Sequence, residues 1–417
     1  MKAVVLAGGE GVRMHPLTYT RPKAMLQVAG KPMLWHVLSR LKKAGITKAG
    51  IVVKYKAEKI IEYFSKEENC LGMQISFIQQ GLKHGTGAAL MDAEKYADED
   101  FLAVAADIIC DPALYRKVIE AHGKEEKTVA LKKVQDVSNF GVAEVRDGKI
   151  TDFVEKSEKP PSNLANLSVY SFSPSVFSEL GKLAPSPRGE YEIVDVFRGA
   201  RAVEVSEFWG EVSYPWHLFD LNTKLLLEME ASIEQVENST IKGKLIMEKG
   251  AEIFDSYIEG TAYIGKDSKI GPHAFLRGNN SIGANCRIGE STTIKDSILF
   301  DNVNAKHLSY IGDSVVGEGV NFGAGTQIAN YRFDASHINI QTEKGWINSG
   351  RKKLGSIIGD HVKFGVLACT MPGKMIGNDC WIGSNVNVMR HVKPHTKIFA
   401  KQDYIYQSQE DQDQHSG

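Results

Sequence analysis

Net charge is missing from this chain: 50 lysines and arginines stand against 51 aspartates and glutamates. No field is left to gather nucleic acid or an anionic membrane surface. Long apolar runs are missing too, and nothing approaches the ~18 uncharged apolar residues of a membrane span. The opening residues read directly as a strand, without the basic and apolar regions of a signal peptide. Cysteine is sparse. Cys70, Cys110, Cys286, Cys369 and Cys380 are odd in number and form no CxxC pair, which fits free thiols in a reducing cytoplasm better than a disulfide framework or a zinc site. What is present is ordinary: 42% apolar and 24% charged residues over 417 positions, more than one core usually supports, so two domains are expected.

Glycine placement is the first specific feature. A hydrophobic strand, Lys2-Ala3-Val4-Val5-Leu6, runs into Ala7-Gly8-Gly9-Glu10-Gly11-Val12-Arg13-Met14, and Arg21-Pro22-Lys23 follows. Residues without Cβ atoms let a phosphate reach backbone N–H groups, and Arg13 and Lys23 add two cations. A P-loop needs Lys-Ser/Thr directly after its last glycine, and the dinucleotide fingerprint spaces its glycines differently. The pattern reads as a nucleotide-phosphate cradle of a third kind; the plain alternative is a glycine turn beside incidental surface cations. Strands and helices then alternate. Apolar spacing predicts a helix from Lys31-Pro32-Met33-Leu34 to about Ala44, ended by Gly45, and a second through Ile60, Ile61 and Phe64. Strands are predicted at Gly50-Ile51-Val52-Val53, Met73-Gln74-Ile75-Ser76-Phe77-Ile78 and Phe101-Leu102-Ala103-Val104-Ala105. This is an α/β pattern, a Rossmann-like domain with a mostly parallel sheet and ligands at the carboxyl ends of its strands. The glycine loop and Asp107 both fall at such ends.

The second half keeps a different period. Ile264, Ile270, Leu276, Ile282, Ile288 and Ile294 recur every six residues, as do Val316, Phe322 and Ile328, then Ile358, Phe364, Thr370, Ile376, Ile382 and Val388. Six fits neither a helix nor an alternating strand. It fits a parallel β-helix of short flat faces, with one aliphatic per face pointing inward and Gly or Asn at the corners. Families with this hexapeptide repeat form left-handed β-helices, most often as trimers with acyltransferase sites between coils.

The glycine loop with Pro22-Lys23 resembles the sugar-1-phosphate nucleotidyltransferases. The resemblance implies that Leu6, Ala7, Gly8, Gly9 and Gly11 cradle the nucleotide, Arg13 contacts the leaving pyrophosphate, and Lys23 contacts the phosphates being joined. It assigns the base to Gln80, Gly85 and Thr86, Mg²⁺ to Asp107 and Glu211, and the sugar phosphate to Gly141 (in Asn139-Phe140-Gly141-Val142), Glu155, Lys156 and Asn166. Three positions depart from the family pattern. Ala106 precedes Asp107 where Gly is usual, Ser168 replaces Gly in Asn-x-Gly, and Glu211 replaces Asp as second metal ligand. An altered sugar preference, slower turnover and a lost site are the three readings of these changes.

In the second half, Lys306-His307-Leu308-Ser309-Tyr310-Ile311-Gly312-Asp313, Asn321, Gly323-Ala324-Gly325-Thr326 and Asn330-Tyr331 resemble the acetyltransferase half of the bifunctional glucosamine-1-phosphate N-acetyltransferase/N-acetylglucosamine-1-phosphate uridyltransferase family. The overall layout looks like that of the family's archaeal members, and Val366 stands where the bacterial ones have a Ser that helps the leaving thiolate. The resemblance makes His307 the general base, a role that neutral imidazole suits because an ammonium cannot attack a thioester. It places Tyr310, Asn321, Asn330 and Tyr331 at the substrates and the Ala324 N–H at the developing oxyanion. It gives Arg277 and Lys295 the substrate phosphate. Residues 330–355 break the six-residue period and carry Arg351-Lys352-Lys353, either cations for coenzyme A phosphates or a solvated loop.

The expectation is therefore a nucleotidyltransferase domain over 1–225, a helical linker over 226–240, a β-helix over 241–405 and a disordered tail over 406–417, the joining helix running near Leu218–Glu237 on the apolar positions Leu221, Leu225, Leu226 and Met229. The implied chemistry makes UDP-N-acetylglucosamine from glucosamine-1-phosphate with acetyl-CoA, UTP (or dTTP) and Mg²⁺, in a cytoplasmic homotrimer or larger assembly. Its partners would be small molecules, with neither nucleic acid nor membrane. One alternative keeps nucleotidyl transfer but uses glucose-1-phosphate. Another is a non-catalytic subunit like those of the translation-initiation exchange factor, which share the architecture but typically lose the Arg or Lys of the cradle.

Overall fold

The structure, a computed structural model, describes residues 1–123, 125–137, 140–155, 160–342 and 345–406, with Glu155 described in its backbone alone. The expected sugar-phosphate contact Lys156, Asn139 and the tail from Gln407 lie outside the described residues.

A nine-stranded sheet forms the first half. Strands Gln74–Gln79, Lys48–Val53, Lys2–Leu6 and Phe101–Ala105 lie side by side, all parallel. Their apolar runs have side chains covered on both faces, as a parallel sheet between helices requires: Val4, Val5, Ile51, Val52 and Ala103 are fully buried. Beyond Phe101–Ala105 the sheet turns mixed, since Leu164–Phe172 runs antiparallel to both of its neighbours. The glycine loop and Asp107 thus leave the parallel part side by side at its carboxyl edge.

The predicted helices are Met33–Lys43 and Ala57–Phe64. The first buries His36, whose Nε2 lies 2.8 Å from the Val28 carbonyl oxygen. Burial pushes this imidazole down to about 4. An unfolded histidine takes a proton near pH 6.5, so between there and pH 4 the unfolded chain binds more protons and stability falls as pH falls. The loss saturates on the order of 3 kcal/mol below pH 4. Thermal unfolding followed from pH 7 to 4 should show this decline, and His36→Gln should flatten it.

Every apolar six-residue position of the second half is buried in one continuous core, from Ile264 to Val388, and Thr370 is buried beside it with its hydroxyl 2.8 Å from that of Ser356. Parallel pairing stacks coil on coil, with Leu299 against Val316 and Val316 against Ile358. Corners are taken by left-handed residues, among them Asp255, Asp267, Asn285, Asn302 and Asn385. Asp and Asn tolerate that conformation better than other residues with a Cβ. Leu308 and Leu367 adopt it as well.

The joining helix begins at Leu218 as expected but stops well short of Glu237, so most of the linker over 226–240 is not helical. It is Leu218–Glu228, and Gln235–Glu237 is already a strand of the β-helix. Leu221, Leu225 and Leu226 sink into the core, whereas past Met229 the apolar spacing lapses and the Ser232 N–H donates to the Leu245 carbonyl at 3.0 Å. The two halves are not beads on a string. Ile246, Tyr263, Phe300, Val315 and Ile357 of the β-helix belong to the same buried cluster as Leu26, Leu34 and Leu221.

The excursion at 330–355 contains a hairpin, Asn339–Thr342 with Gly345–Asn348. Ile338, Ile340 and Leu354 anchor it in that shared cluster. Arg351 is partly buried and already engaged: it reaches Asp220 at 2.6 Å and lies over the Phe219 ring.

Candidate active sites

The glycine loop opens into a cleft of about 770 Å³ lined by Gly8, Gly9, Gly11, Arg13, Lys23, Gln80, Gly85, Thr86 and Asp107. The fold demands glycine at two of these places. A Cβ on Gly8 would sit 2.2 Å from Gln80 Oε1, and one on Gly11, whose φ is 67°, would sit 2.8 Å from Lys23 Cβ. Glycine is therefore what lets the Gln80 amide and the Lys23 side chain converge on one loop. Gln80 is fixed by donating through Nε2 to the Lys83 carbonyl at 3.2 Å. Thr86 opens a short helix after Gly85, and its hydroxyl accepts from the Ile193 N–H. Leu6 and Ala7 supply the strand end.

Lys23 Nζ meets Asp107 Oδ2 at 2.5 Å across the cleft. Beside Asp107, strands Ile108–Cys110 and Trp209–Glu211 pair antiparallel with Ile108 opposite Glu211. The two expected metal ligands thus stand at one end of a two-stranded ribbon. Two carboxylates beside a phosphate cradle fit Mg²⁺, which characteristically takes one or two carboxylates with substrate phosphates. Among the described residues no cluster of three or more His, Cys, Asp or Glu gathers as a metal cage. The extra length of Glu211 is taken up by Ser213, whose hydroxyl donates to Glu211 Oε1 at 2.7 Å.

A second cavity of about 470 Å³ adjoins the first and shares Arg13 and Ser213 with it. Sequence reasoning missed its walls. Phe140 and Trp209 pack at 5.3 Å, Arg13 lies over the Tyr214 ring, and Trp209 Nε1 is buried without a partner among the described residues. Its far wall holds His217, whose Nδ1 accepts from the Ser213 N–H. Burial, with Arg351, Lys23 and Arg13 nearby, keeps that imidazole below its ordinary value.

The sugar-contact residues are only partly gathered. Gly141 and Glu155 are cross-strand partners. Asn166 is occupied elsewhere, donating to the Tyr170 hydroxyl at 2.9 Å and accepting from the Ser168 N–H at 3.0 Å. Ser168 and Tyr170 line the cleft instead, and Ser168 holds φ 53°, the left-handed conformation that explains glycine in the usual pattern. Ala106 is buried, its N–H bonded to the Leu6 carbonyl.

In the β-helix, His307 sits at a half-exposed corner with Nδ1 3.0 Å from Glu290 Oε2. A carboxylate only accepts, so in the neutral ring the shared proton sits on Nδ1 and the lone pair on Nε2. Glu290 lies one coil below, where the Leu308 N–H donates to the Glu290 carbonyl. The coil length of about 17 residues was the signal that could have found it. Arg277 and Lys295 are register partners on successive coils. Lys295 is already engaged, with Asp296 at 2.6 Å and Asp313 at 3.0 Å. Burial alone would lower its pKa, but those two carboxylates outweigh it and raise it. Asn330 Nδ2 donates to the Tyr310 hydroxyl at 3.1 Å and to Asp313 Oδ2 at 2.5 Å. Asp313 therefore joins Lys295, Asn330 and Tyr310 in one network. Asn321 and Tyr331 are exposed, and Ala324 follows Gly323 on the coil above His307.

A phosphate cleft at the carboxyl edge of a parallel sheet, opposed by paired cation and carboxylate, defines a nucleotidyltransferase, here joined to a hexapeptide β-helix. Comparison with known proteins agrees. The nucleotidyl transferase family model matches residues 2–211, and that of the GMPPB C-terminal domain matches 255–369. The bifunctional protein GlmU of Methanocaldococcus jannaschii is 36% identical, over 97% of this chain and 99% of its own. The bifunctional sugar-1-phosphate nucleotidylyltransferase/acetyltransferase of Sulfurisphaera tokodaii is 37% identical, over 90% and 94%. A Bacillus anthracis crystal structure, provisionally described as a glucose-1-phosphate thymidylyltransferase, aligns with TM-score 0.50 at 28% identity, covering 56% of this chain and 98% of its own. The chain belongs to the family of bifunctional sugar-1-phosphate nucleotidylyltransferases and acetyltransferases.

Proposed function

We propose that the chain makes UDP-N-acetylglucosamine in two steps at two sites. In the β-helix, the amine of glucosamine-1-phosphate attacks the acetyl-CoA carbonyl. His307 Nε2 takes the proton that the amine loses while Glu290 holds the ring, the Ala324 N–H faces the oxyanion, and coenzyme A leaves as the thiol. Arg277, lying over the Phe275 ring, is the cation for the sugar phosphate, and the Tyr310–Asn330–Asp313 network faces its hydroxyls. In the first half, a phosphate oxygen of N-acetylglucosamine-1-phosphate attacks the α-phosphorus of UTP and pyrophosphate leaves. That nucleophile is already anionic, so the residues supply position and charge. Gly8, Gly9 and Gly11 cradle the phosphates, Arg13 draws off the pyrophosphate and Lys23 spans the phosphates being joined. Bound through Asp107 and Glu211, Mg²⁺ supplies neutralisation of the phosphate charge. The aromatic cavity of Phe140 and Trp209 receives the sugar, with Trp209 Nε1 as a donor to it; the family resemblance gives Gly141, Glu155 and Lys156 to the sugar and its phosphate.

The observation that carries this reading is the His307–Glu290 pair, which fixes the tautomer that a base for an amine requires. Leu308, Leu367 and Val366, exposed apolar residues on the corners near His307, support a second copy closing the acetyl site, in keeping with a homotrimer. Five free cysteines suit a reducing cytoplasm, and among the described residues no helix is long and apolar enough to cross a membrane.

The test supplies the protein with glucosamine-1-phosphate, acetyl-CoA, UTP and Mg²⁺ and identifies products by mass. Conversion to UDP-N-acetylglucosamine is the expected outcome. N-acetylglucosamine-1-phosphate alone would remove UTP from the first site and bring dTTP forward. No product would return the weight to a non-catalytic subunit.

A further inference from the structure

Lys23 projects from a loop, and that loop does not rest on its own domain alone. On one corner of the β-helix, Asp301, Glu318 and Asp360 each stand two residues beyond the stacked positions Leu299, Val316 and Ile358. The two aspartates divide their oxygens in the same way. Oδ1 accepts a backbone N–H of the coil below, Ala284 at 2.7 Å for Asp301 and Glu318 at 2.8 Å for Asp360. Oδ2 turns to the first half of the chain. Asp301 Oδ2 accepts from Gln27 at 2.9 Å. Asp360 Oδ2 accepts from Arg21 Nη2 at 2.6 Å and from the Thr20 hydroxyl at 2.5 Å. Arg21 also reaches Glu318 at 3.0 Å and lies over the Phe300 ring at 5.3 Å. Further along the same loop, Lys31 meets Glu248 at 2.5 Å.

This is a bracket on both sides of the catalytic lysine. The Asp360 side chain is 2% exposed and that of Arg21 11%, so neither is a solvated surface charge. A buried pair that loses one partner leaves the other charge unpaired and costly, so the bracket holds a defined geometry. Between Arg21 and Lys23 stands only Pro22, with φ −68° fixed by its ring. The turn Lys23–Met25 follows at once. A shift of Arg21 therefore passes directly to Lys23, which must hold its place opposite Asp107.

We propose that Arg21 is a positioning residue for nucleotidyl transfer: gripped by Asp360 and Glu318 of the β-helix, it fixes the turn that aims Lys23 into the nucleotide cleft. This makes the β-helix part of the machinery of both reactions. The inference rests on the reading of Lys23 as a nucleotidyl-transfer residue, and its test separates the two. Asp360→Asn keeps the size and the Oδ1 acceptor while removing the charge; Arg21→Lys keeps the charge but not the fork.

In the full chain, Asp360→Asn should lower kcat for pyrophosphate release about tenfold, with KM for UTP and the rate of coenzyme A release changed less than about twofold. Arg21→Lys should keep more kcat than Arg21→Ala. Hydrogen exchange, followed by mass over residues 18–28 without substrate, should quicken in Asp360→Asn while the coils around His307 stay protected. Unchanged exchange in that loop, or equal loss of both reactions, overturns the proposal. Quickened exchange in a chain whose wild type releases no pyrophosphate leaves the bracket standing and removes the nucleotidyl reading instead.

Discussion

Lys23→Ala should abolish pyrophosphate release and leave acetylation of glucosamine-1-phosphate at its wild-type rate. The loss is on the order of 10³-fold or more, the scale on which a single cation or donor acts in phosphoryl and acyl transfer. The size follows from the attack itself, in which two anions are brought together and no proton transfer lowers the barrier. Lys23 Nζ is held opposite Asp107 at 2.5 Å, and its removal also leaves that carboxylate without its counter-charge in a cleft meant for phosphates. Coupled measurement of pyrophosphate and of coenzyme A thiol on one preparation checks the result. Equal loss in both assays would mean that the two sites are not separate.

His307→Ala is the mirror image. Acetylation falls by about 10² to 10⁴, the range for loss of a general base, while pyrophosphate release from UTP and N-acetylglucosamine-1-phosphate continues. Here Glu290 supplies a finer control. Because it holds Nδ1 rather than the reacting nitrogen, Glu290→Gln should cost much less than loss of the imidazole. If acetylation survives in His307→Ala, the histidine is an ordinary corner residue.

The two halves of the sequence were legible to different depths. In the second, one aliphatic every six residues specifies the coil, and each such position is buried. In the first, the strands and helices ending at the cleft follow from apolar spacing and glycine punctuation, which are local signals. The site residues Gly8, Gly11, Arg13, Lys23 and Asp107 are legible because they lie within one loop or at one strand end. What local pattern does not carry is pairing across the chain. Trp209 joins Phe140 only through the fold. Asp313 stands in a motif read for its histidine, yet its partners are Lys295 on the coil below and Asn330 on the coil above. Asn166 reads as a sugar contact, but Tyr170, four residues on, takes its amide. The joining helix, read from near Leu218 to Glu237, ends at Glu228 because burial decides where it stops.

A solenoid usually lengthens or shortens by whole coils at little cost to the rest of the chain, since each coil touches only its neighbours. The acidic corner removes that freedom here. Glu248, Asp301 and Asp360 meet Lys31, Gln27 and Arg21 in turn, and each added coil would carry one contact past its mate by about 4.8 Å, the spacing between strands. Insertions and deletions in descendants of this chain should therefore spare the stretch between residues 248 and 360, apart from the outward excursion at 330–355, and collect beyond Asn378, where the stack is free to grow.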